Sequence, residues 1–144
     1  MPHAENSVTI AKPIDQVFRY VADGLNNPKW RGSEISISLK SGNAGTVGAV
    51  YAQTMPGPGG RGIPADYELT EVVPNQTIVF HVVAGPARPV GTYTFSEVPG
   101  GTLVRFALSW EPKGLMQKLM APMVAKQMPK EVAALEGLKR TLEA

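Results

Sequence analysis

Six consecutive segments between residues 34 and 111 alternate apolar and polar side chains, and this period of two constrains the fold more than any other feature. Successive side chains of a β-strand point to opposite faces, so each segment predicts a half-buried strand. Glycine, proline or asparagine follows each segment and indicates a turn. The strands should therefore pair in chain order, as an antiparallel meander. Their sequences are EISISLK, GTVGAVYAQTM, ADYELTEVV, QTIVFHVVA, VGTYTFSEV and GTLVRFALSWE.

Helical patterns lie on both sides of this meander. Before it, SVTIA predicts a first strand, Pro13 suits the first turn of a helix over IDQVFRYVAD, and residues 26–30 predict a second short helix. From Gly114 onwards, apolar residues recur every three or four positions, which predicts a long C-terminal helix. We expect Pro122 and Pro129 to kink or restart that helix, because proline cannot donate to its hydrogen-bond ladder.

Composition excludes several classes of function. A length of 144 residues predicts a single domain over residues 1–144, large enough to enclose a cavity. The absence of cysteine excludes disulfides and thiolate catalysis. The net charge is only +2 without a block of Lys or Arg, which argues against nucleic-acid binding. Neither a signal peptide nor a membrane-spanning run is evident, so we expect a cytoplasmic location and no membrane insertion.

The stretch GPGGRG, residues 57–62, has the G-x-G-x-x-G spacing of a dinucleotide-binding loop. Such a loop leads into a helix whose N-terminal amides hold the pyrophosphate, but here the strand-like ADYELTEVV follows. We interpret GPGGRG as a flexible rim loop and expect no cofactor. Successive turns of a meander alternate between two ends of the sheet, so Arg61 should lie at one mouth with Arg88 and Lys113. Three cations there would favour an acidic ligand group.

The order of elements and two long stretches resemble a known superfamily. VTIAKPIDQVFRYVAD…NPKW and GTYTFSEVPGGTLVRFALSWEP…LKRTLE look like the polyketide cyclase/dehydrase and lipid-transport (START-like, SRPBCC) superfamily, over nearly the whole chain. The resemblance implies an α+β helix-grip fold, in which a curved antiparallel sheet of about seven strands wraps around a long C-terminal helix and leaves a cavity between them. It implies no single function, since binding proteins, cyclases, hydratases and chaperone activators share this fold.

Strand alternation and the methionines select the side chains that would line the cavity. The apolar face of each strand should be buried, with Asp66, Glu68 and Arg105 exposed on the other face. Four of the six methionines lie in the first half of the final helix, where their flexible side chains would form an adaptable wall. The predicted ligand-binding residues are Trp30, Leu39, Tyr67, Leu69, Phe80, Tyr93, Phe95, Phe106, Leu108, Met116, Met120 and Met123.

Few titratable side chains remain for chemistry inside the cavity. Tyr67 and Tyr93 should point inward, where phenols can orient a carbonyl but are poor bases at a pKa near ~10. His81 lies on a face that is itself apolar, so either orientation fits the pattern. His3 and His81 are the only histidines, and we predict no metal site. Further inward polar candidates are Tyr51, Gln53 and Gln127.

Three functions remain open at this point. The one we favour is binding of a small, largely apolar ligand, lipid-like or polyketide/aromatic, with or without an acidic group. The second is a polyketide cyclase/dehydrase-type enzyme that uses Tyr67, Tyr93 and, if it faces inward, His81. The third is a protein-interaction module without a small ligand. The sequence leaves the oligomeric state open, with a homodimer as one option.

Overall fold

The computed structural model describes residues 3–144, without the side chain of Pro58, and its strands and helices follow the predicted order. The strands are β1 (His3–Ile10), β2 (Ser36–Ser41), β3 (Val50–Pro56), β4 (Gly62–Pro64), β5 (Tyr67–Val73), β6 (Thr77–Val82), β7 (Val90–Val98) and β8 (Gly101–Ser109). The helices are α1 (Ile14–Ala22), α2 (Asn27–Trp30), α3 (Gly114–Ala133) and α4 (Leu135–Glu143), and a 3-10 turn, Gly24–Asn26, precedes α2.

One antiparallel sheet contains all of these strands. Its spatial order is β1-β8-β7-β6-β5-β3-β2, and the short β4 pairs with β3 beside that path. The order confirms the predicted meander from β2 to β8, and β1 extends it beside β8 with Val8 opposite Val104. The sequence pattern did not predict β4, because three residues are too short to show alternation.

The stretch 57–62 forms the turn between β3 and β4. The Gly57 amide donates to the Arg61 carbonyl at 2.7 Å. Gly59 and Gly60 have φ angles of 69° and 78°, a left-handed conformation that glycine adopts without strain. The strands β4 and β5 follow this turn, of which β5 was predicted, so the turn presents no helix N-terminus to a phosphate group.

The C-terminal helical segment breaks at Ala134 and not at its prolines. Both Pro122 and Pro129 lie inside α3, so the expectation that a proline restarts the helix is wrong. The Ala134 amide donates to the Glu131 carbonyl at 3.2 Å, and the Gly137 amide to the Ala134 carbonyl at 2.8 Å. This three-residue spacing tightens the chain between α3 and α4. Within residues 3–144, none of the helices is long and apolar enough to cross a membrane.

The core lies between one face of the sheet and the helices α1, α3 and α4. The residues in this core confirm which face of each strand was predicted to be buried, and Arg105 is exposed as expected. Asp66 and Glu68 are half-buried rather than exposed. For Asp66 the reason is that one carboxylate oxygen accepts a hydrogen bond from the backbone N–H of Gln53 at 3.1 Å, while the other lies 3.6 Å from Lys40 Nζ. Residues of the predicted inward faces that are buried include Ile35, Tyr67, Leu69, Ile78, Phe80, Tyr93, Phe95, Val104, Phe106, Leu108 and Trp110.

Candidate functional site

Five aromatic rings form a continuous row across the inner face of the sheet, one each from β3, β5, β6, β7 and β8. Ring centroids are 5.2 Å apart for Tyr51–Tyr67 and for Tyr67–Phe80, 6.0 Å for Phe80–Tyr93 and 4.3 Å for Tyr93–Phe106. The strand register explains the row, because Tyr51 lies opposite Tyr67 and Tyr93 opposite Phe106. Each residue is at most 5% exposed. We call these five residues the aromatic row.

One face of α2 packs against this aromatic row. Asn27, Trp30 and Arg31 are three and four positions apart, a spacing that places them on the same side of a helical turn. Asn27 and Trp30 are buried, and the Trp30 ring lies edge-on to Tyr93 at 6.3 Å between centroids. The preceding 3-10 turn is capped by Asp23, whose side chain accepts from the Leu25 amide at 3.1 Å.

The helix α4 holds α2 in this position through a close backbone contact. Gly137 lies directly against the Trp30 carbonyl, where any side chain would clash with backbone. The Thr141 hydroxyl lies within hydrogen-bonding distance of the Lys29 carbonyl, at 3.2 Å. A helix of one turn is not stable alone, so α2 owes its placement to this packing.

Asn27 joins two strands through its amide group. Its Nδ2 donates to Gln53 Oε1 at 2.9 Å and to Tyr67 Oη at 3.0 Å. Gln53 Nε2 donates in turn to the Ala65 carbonyl at 3.4 Å. The approach of Tyr67 depends on Gly24, since a Cβ at that position would clash with the Tyr67 hydroxyl. Because Asn27 donates to it, that hydroxyl is left with its own proton to donate.

An ion pair between α2 and α3 lies beside these rings. Arg31 Nη2 is 2.9 Å from Glu131 Oε2, and the two side chains are 7% and 23% exposed. Gln127 Nε2 donates to the other Glu131 oxygen at 3.3 Å. The guanidinium carbon lies 5.8 Å from the centroid of the Trp30 ring. Desolvation opposes the burial of an ion pair, and here direct hydrogen bonds offset it. The pair holds a guanidinium group inside the molecule, with its charge balanced by the adjacent carboxylate.

Burial makes the two interior phenols weak acids. It raises the pKa of Tyr93 to about 12, although the positive charge of Arg31 acts in the opposite direction. Burial also raises the pKa of Tyr67, against the effects of Arg31 and of the hydrogen bond from Asn27. For Arg31, burial alone would lower the pKa, but interactions with Tyr93 and Glu131 raise it overall. At neutral pH both phenols are therefore hydrogen-bond donors and not bases.

Two buried N–H groups beside these phenols have no hydrogen-bond partner within residues 3–144. They are the indole Nε1–H of Trp30 and the Nε–H of Arg31. A buried donor without an acceptor costs about 1–3 kcal/mol, so such groups are normally paired. We call Trp30, Arg31, Tyr67 and Tyr93 the donor cluster. Its natural complement is an oxygen acceptor, such as a carbonyl or a carboxylate.

An open groove of about 390 Å³ lies where α3 begins, beside the start of β7 and the end of β8. Gln117 Nε2 donates across it to the Pro86 carbonyl at 3.1 Å. Trp110 lines the groove and also belongs to the core. Of the predicted mouth residues, Arg88 and Lys113 line this groove, whereas the exposed Arg61 does not.

Most of the predicted ligand-binding side chains are brought together in one buried cluster. Met120 is half-buried and packs against the same cluster. Three others, Leu39, Met116 and Met123, are exposed. The buried members are Trp30, Tyr67, Leu69, Phe80, Tyr93, Phe95, Phe106 and Leu108.

The prediction for Leu39 is wrong because of its place in the sheet. It shares a face with Ile35 and Ile37, but β2 is an edge strand. Its pairing with β3 also shifts register between Leu39 and Ser41. The end of β2 thus departs from the regular ladder, and Leu39 is left in contact with solvent.

The prediction for Met116 and Met123 is wrong because of helix geometry. A step of four residues overshoots a full helical turn by about 40°, so an i, i+4 series drifts around the helix. The side of α3 that faces the core carries Met120, Val124 and Met128. Met116 and Met123 are rotated from Met128 by roughly 120° and 140° on this count, which leaves both in solvent.

His81 is exposed on the outer face of β6, opposite Glu68, so the alternative in which it enters the interior is wrong. Of the further polar candidates, Tyr51 and Gln53 are buried and Gln127 is exposed. Among the described residues, no three His, Asp or Glu side chains are grouped so that they could hold a metal ion.

Three residues of this site, Asn27, Arg31 and Glu131, were not predicted from the sequence. For Asn27 the sequence predicted only membership of a short helix, although the i, i+3, i+4 spacing around Trp30 is a signal that could have placed it and Arg31 on one face. Glu131 is a lone carboxylate among lysines in α3, and its helical position falls beside Val124 and Met128. The signal that could have placed Glu131 at the site is therefore its position on the core-facing side of the helix, and not its charge.

Comparisons with known proteins agree with this architecture. The family described as "Polyketide cyclase / dehydrase and lipid transport" matches residues 1–143. Among curated proteins, none matches this chain.

Solved structures with the same fold share little sequence with it. The protein TTHA0849 from Thermus thermophilus is 20% identical with a TM-score of 0.78, over 98% of this chain and 97% of that one. Protein CV1439 from Chromobacterium violaceum is 16% identical with a TM-score of 0.71, over 100% and 99%. Protein MLL2253 from Mesorhizobium loti is 20% identical with a TM-score of 0.66, over 97% and 96%. At such identities the likeness shows the fold alone.

Proposed function

Because the chain belongs to the polyketide cyclase/dehydrase and lipid transport family, we propose that it binds a small, largely apolar ligand between the sheet and the C-terminal helices. The observation that carries this proposal is the pair of buried, unpartnered donors, Trp30 Nε1–H and Arg31 Nε–H. An acceptor oxygen on a ligand would satisfy both and remove the free-energy cost of leaving them unpaired.

The surroundings favour a flat, aromatic or polyketide-like ligand over a flexible chain. The interior beside the donor cluster is aromatic, so a planar ligand that entered it would pack against rings, and aromatic pairs gain free energy beyond that of simple apolar burial. The free Nε–H of Arg31, on a guanidinium group, favours a polarised or acidic oxygen at one end of that molecule. Such a ligand would place its rings along the row and its oxygen at the donor cluster.

We propose that the ligand enters through the groove at the start of α3. Trp110 connects this groove with the core, and the two cations Arg88 and Lys113 outnumber the carboxylate Glu111 in its lining, which would favour an acidic group. The first turns of α3 expose Leu115, Met116 and Leu119, so few apolar contacts hold this half of the helix on the sheet. A segment with so little burial opens at low free-energy cost.

The donor cluster suits binding better than proton abstraction. Both phenols keep their protons at neutral pH, and His81 lies outside the interior. Glu131 is already engaged by Arg31 and Gln127. A cyclase/dehydrase reaction at this site would therefore rely on Tyr67 and Tyr93 to orient a reactive carbonyl.

Isothermal titration calorimetry with naphthoic acid, naphthol and palmitic acid as probes tests the proposal. We expect naphthoic acid to bind most tightly, because it combines flat rings with an acceptor oxygen. Trp30→Phe keeps a ring and removes one unpartnered donor, so it should weaken this binding about tenfold, as expected for a hydrogen bond to a charged group.

Trp110→Phe is the matched control: Trp110 lies on the proposed entry path and outside the donor cluster, so its loss should change the rate of binding and not the equilibrium affinity. We expect it to leave the affinity for naphthoic acid within about twofold. If no probe binds, or if the two variants lose affinity equally, the proposed site is wrong. A failure of all probes would favour the interaction-module alternative.

A further inference from the structure

The outward face of the first half of α3 carries four large apolar side chains in contact with solvent. Leu115, Met116, Leu119 and Met123 are 76%, 71%, 70% and 59% exposed. Their spacing places them on one side of the helix. We call these four residues the α3 stripe. A contiguous apolar surface of this kind is uncommon on a monomer and indicates an interaction surface.

Positive charge surrounds the α3 stripe. Residues 112–130 contain four lysines, at positions 113, 118, 126 and 130, and neither Asp nor Glu. The whole chain has a net charge of only +2, so the remainder of the chain is net negative. All four lysines are exposed, and none forms an ion pair within the described residues. The apolar stripe and the positive charge thus occur together in one segment.

The neighbouring loops extend this surface. Gln117 of α3 contacts the loop between β6 and β7 through the Pro86 carbonyl. In that loop, Gly85 lies close to the Pro64 carbonyl of β4: a Cβ atom at position 85 would be 3.0 Å from the carbonyl oxygen. The exposed Ile63 and Val83 therefore lie at the same end of the sheet as the start of α3. Apolar side chains of β4 and of the β6–β7 connection add to those of the helix.

We propose that the α3 stripe docks on an anionic lipid membrane, with α3 lying in the plane of the interface. Exposed apolar side chains on one side of a helix, with lysines around them, bind such surfaces through burial and through attraction to acidic headgroups. A second copy of the chain fits this surface less well. A symmetric dimer through the stripe would bring two sets of four lysines together without carboxylates to balance them. This proposal is independent of the interior ligand.

Co-sedimentation with vesicles tests the docking surface. We expect the protein to bind vesicles of phosphatidylcholine and phosphatidylserine, to bind pure phosphatidylcholine weakly, and to dissociate as salt increases. Leu115→Ser/Leu119→Ser should reduce binding about tenfold by removing apolar burial, and Lys118→Gln/Lys126→Gln should reduce it several-fold. All four positions are exposed, so the variants should fold normally.

Two matched controls change similar residues elsewhere. Val47→Ser alters an exposed apolar residue between β2 and β3, and Arg105→Gln removes an exposed charge from β8. We expect neither to affect vesicle binding. Failure to bind anionic vesicles, or equal loss in the controls, would overturn the proposal. So would a dimer in size-exclusion chromatography that Leu115→Ser/Leu119→Ser dissociates, since the stripe would then serve self-association.

Discussion

Individual side chains in the interior owe their chemistry to burial. Tyr67 and Tyr93 keep their protons because their charged forms would be poorly solvated, and the charge of Arg31 only partly opposes this effect. Arg31 itself stays charged because Glu131 accompanies it. The result is a set of neighbouring donors in the interior, and such groups are suited to hydrogen-bond an oxygen atom.

The raised pKa of Tyr93 predicts a loss of stability at alkaline pH. The unfolded chain releases this proton near pH 10.0, whereas the folded chain retains it until pH about 12. Between these values the unfolded state binds fewer protons, so the free energy of unfolding falls as pH rises. Urea unfolding across this pH range should show a smaller fall for Tyr93→Phe than for the unmodified chain. An identical fall in both would contradict the burial of an ionisable phenol at this position.

The buried ion pair makes a second prediction for single residues. Arg31→Met leaves the Glu131 carboxylate without its partner and should lower the free energy of unfolding by about 2–4 kcal/mol. Arg31→Met/Glu131→Gln removes both charges and should recover most of that loss. Arg19→Met is the control, because its partner Asp15 is exposed and such pairs contribute about 0–1 kcal/mol. Equal losses for Arg31→Met and Arg19→Met in urea unfolding would contradict the account.

The two C-terminal helices differ in how they contribute to the fold. Leu135 and Leu138 of α4 are fully buried, and Gly137 brings α4 against α2. The first half of α3 instead presents much of its apolar surface to solvent. We therefore expect α4 to anchor the fold and the start of α3 to be its least stable helical segment.

Truncation of one side chain in each helix tests this difference. Leu138→Ala should destabilise the protein by about 2–5 kcal/mol, as core truncations do. Met123→Ala removes an exposed side chain and should change stability by less than about 0.5 kcal/mol. Urea unfolding of the two variants measures both changes in the free energy of unfolding. Comparable losses would show that Met123 is covered by the protein.

Strands and helices with strong periodicity could be predicted from the sequence, whereas the way in which they pack against one another could not. Strand β7 matches its predicted segment, VGTYTFSEV, because alternation and turn residues define it completely. The rotation of α3 was not predicted, since apolar residues such as Met116 and Met120 recur around more than one side of that helix. Tertiary contacts decide which side faces the sheet.

For the molecule as a whole, the sequence indicated the fold and three of the four residues of the donor cluster, Trp30, Tyr67 and Tyr93. Tyr67 and Tyr93 followed from strand alternation, which holds wherever one face of a sheet is buried. The role of Arg31 depends on the contact between α2 and α3 and on a one-turn helix held by α4. The spacing around Trp30 could place Arg31 on one face of the short helix, but it does not indicate what that face contacts. The aromatic row depends on strand alternation and on the register between neighbouring strands. The alternation could be predicted from the sequence, whereas the register is known only from the structure.

The most direct test of the central claim is nuclear magnetic resonance of the unpartnered donors. The chain has two tryptophans, Trp30 and Trp110, so its indole N–H signals can be assigned with a single Trp→Phe variant. On addition of naphthoic acid, we expect the Trp30 Nε1–H and Arg31 Nε–H signals to move downfield, as donors that gain an acceptor do, while the Trp110 signal changes little. A saturable change at Trp110 alone, or no change at Trp30 and Arg31, would contradict a ligand oxygen bound at the donor cluster.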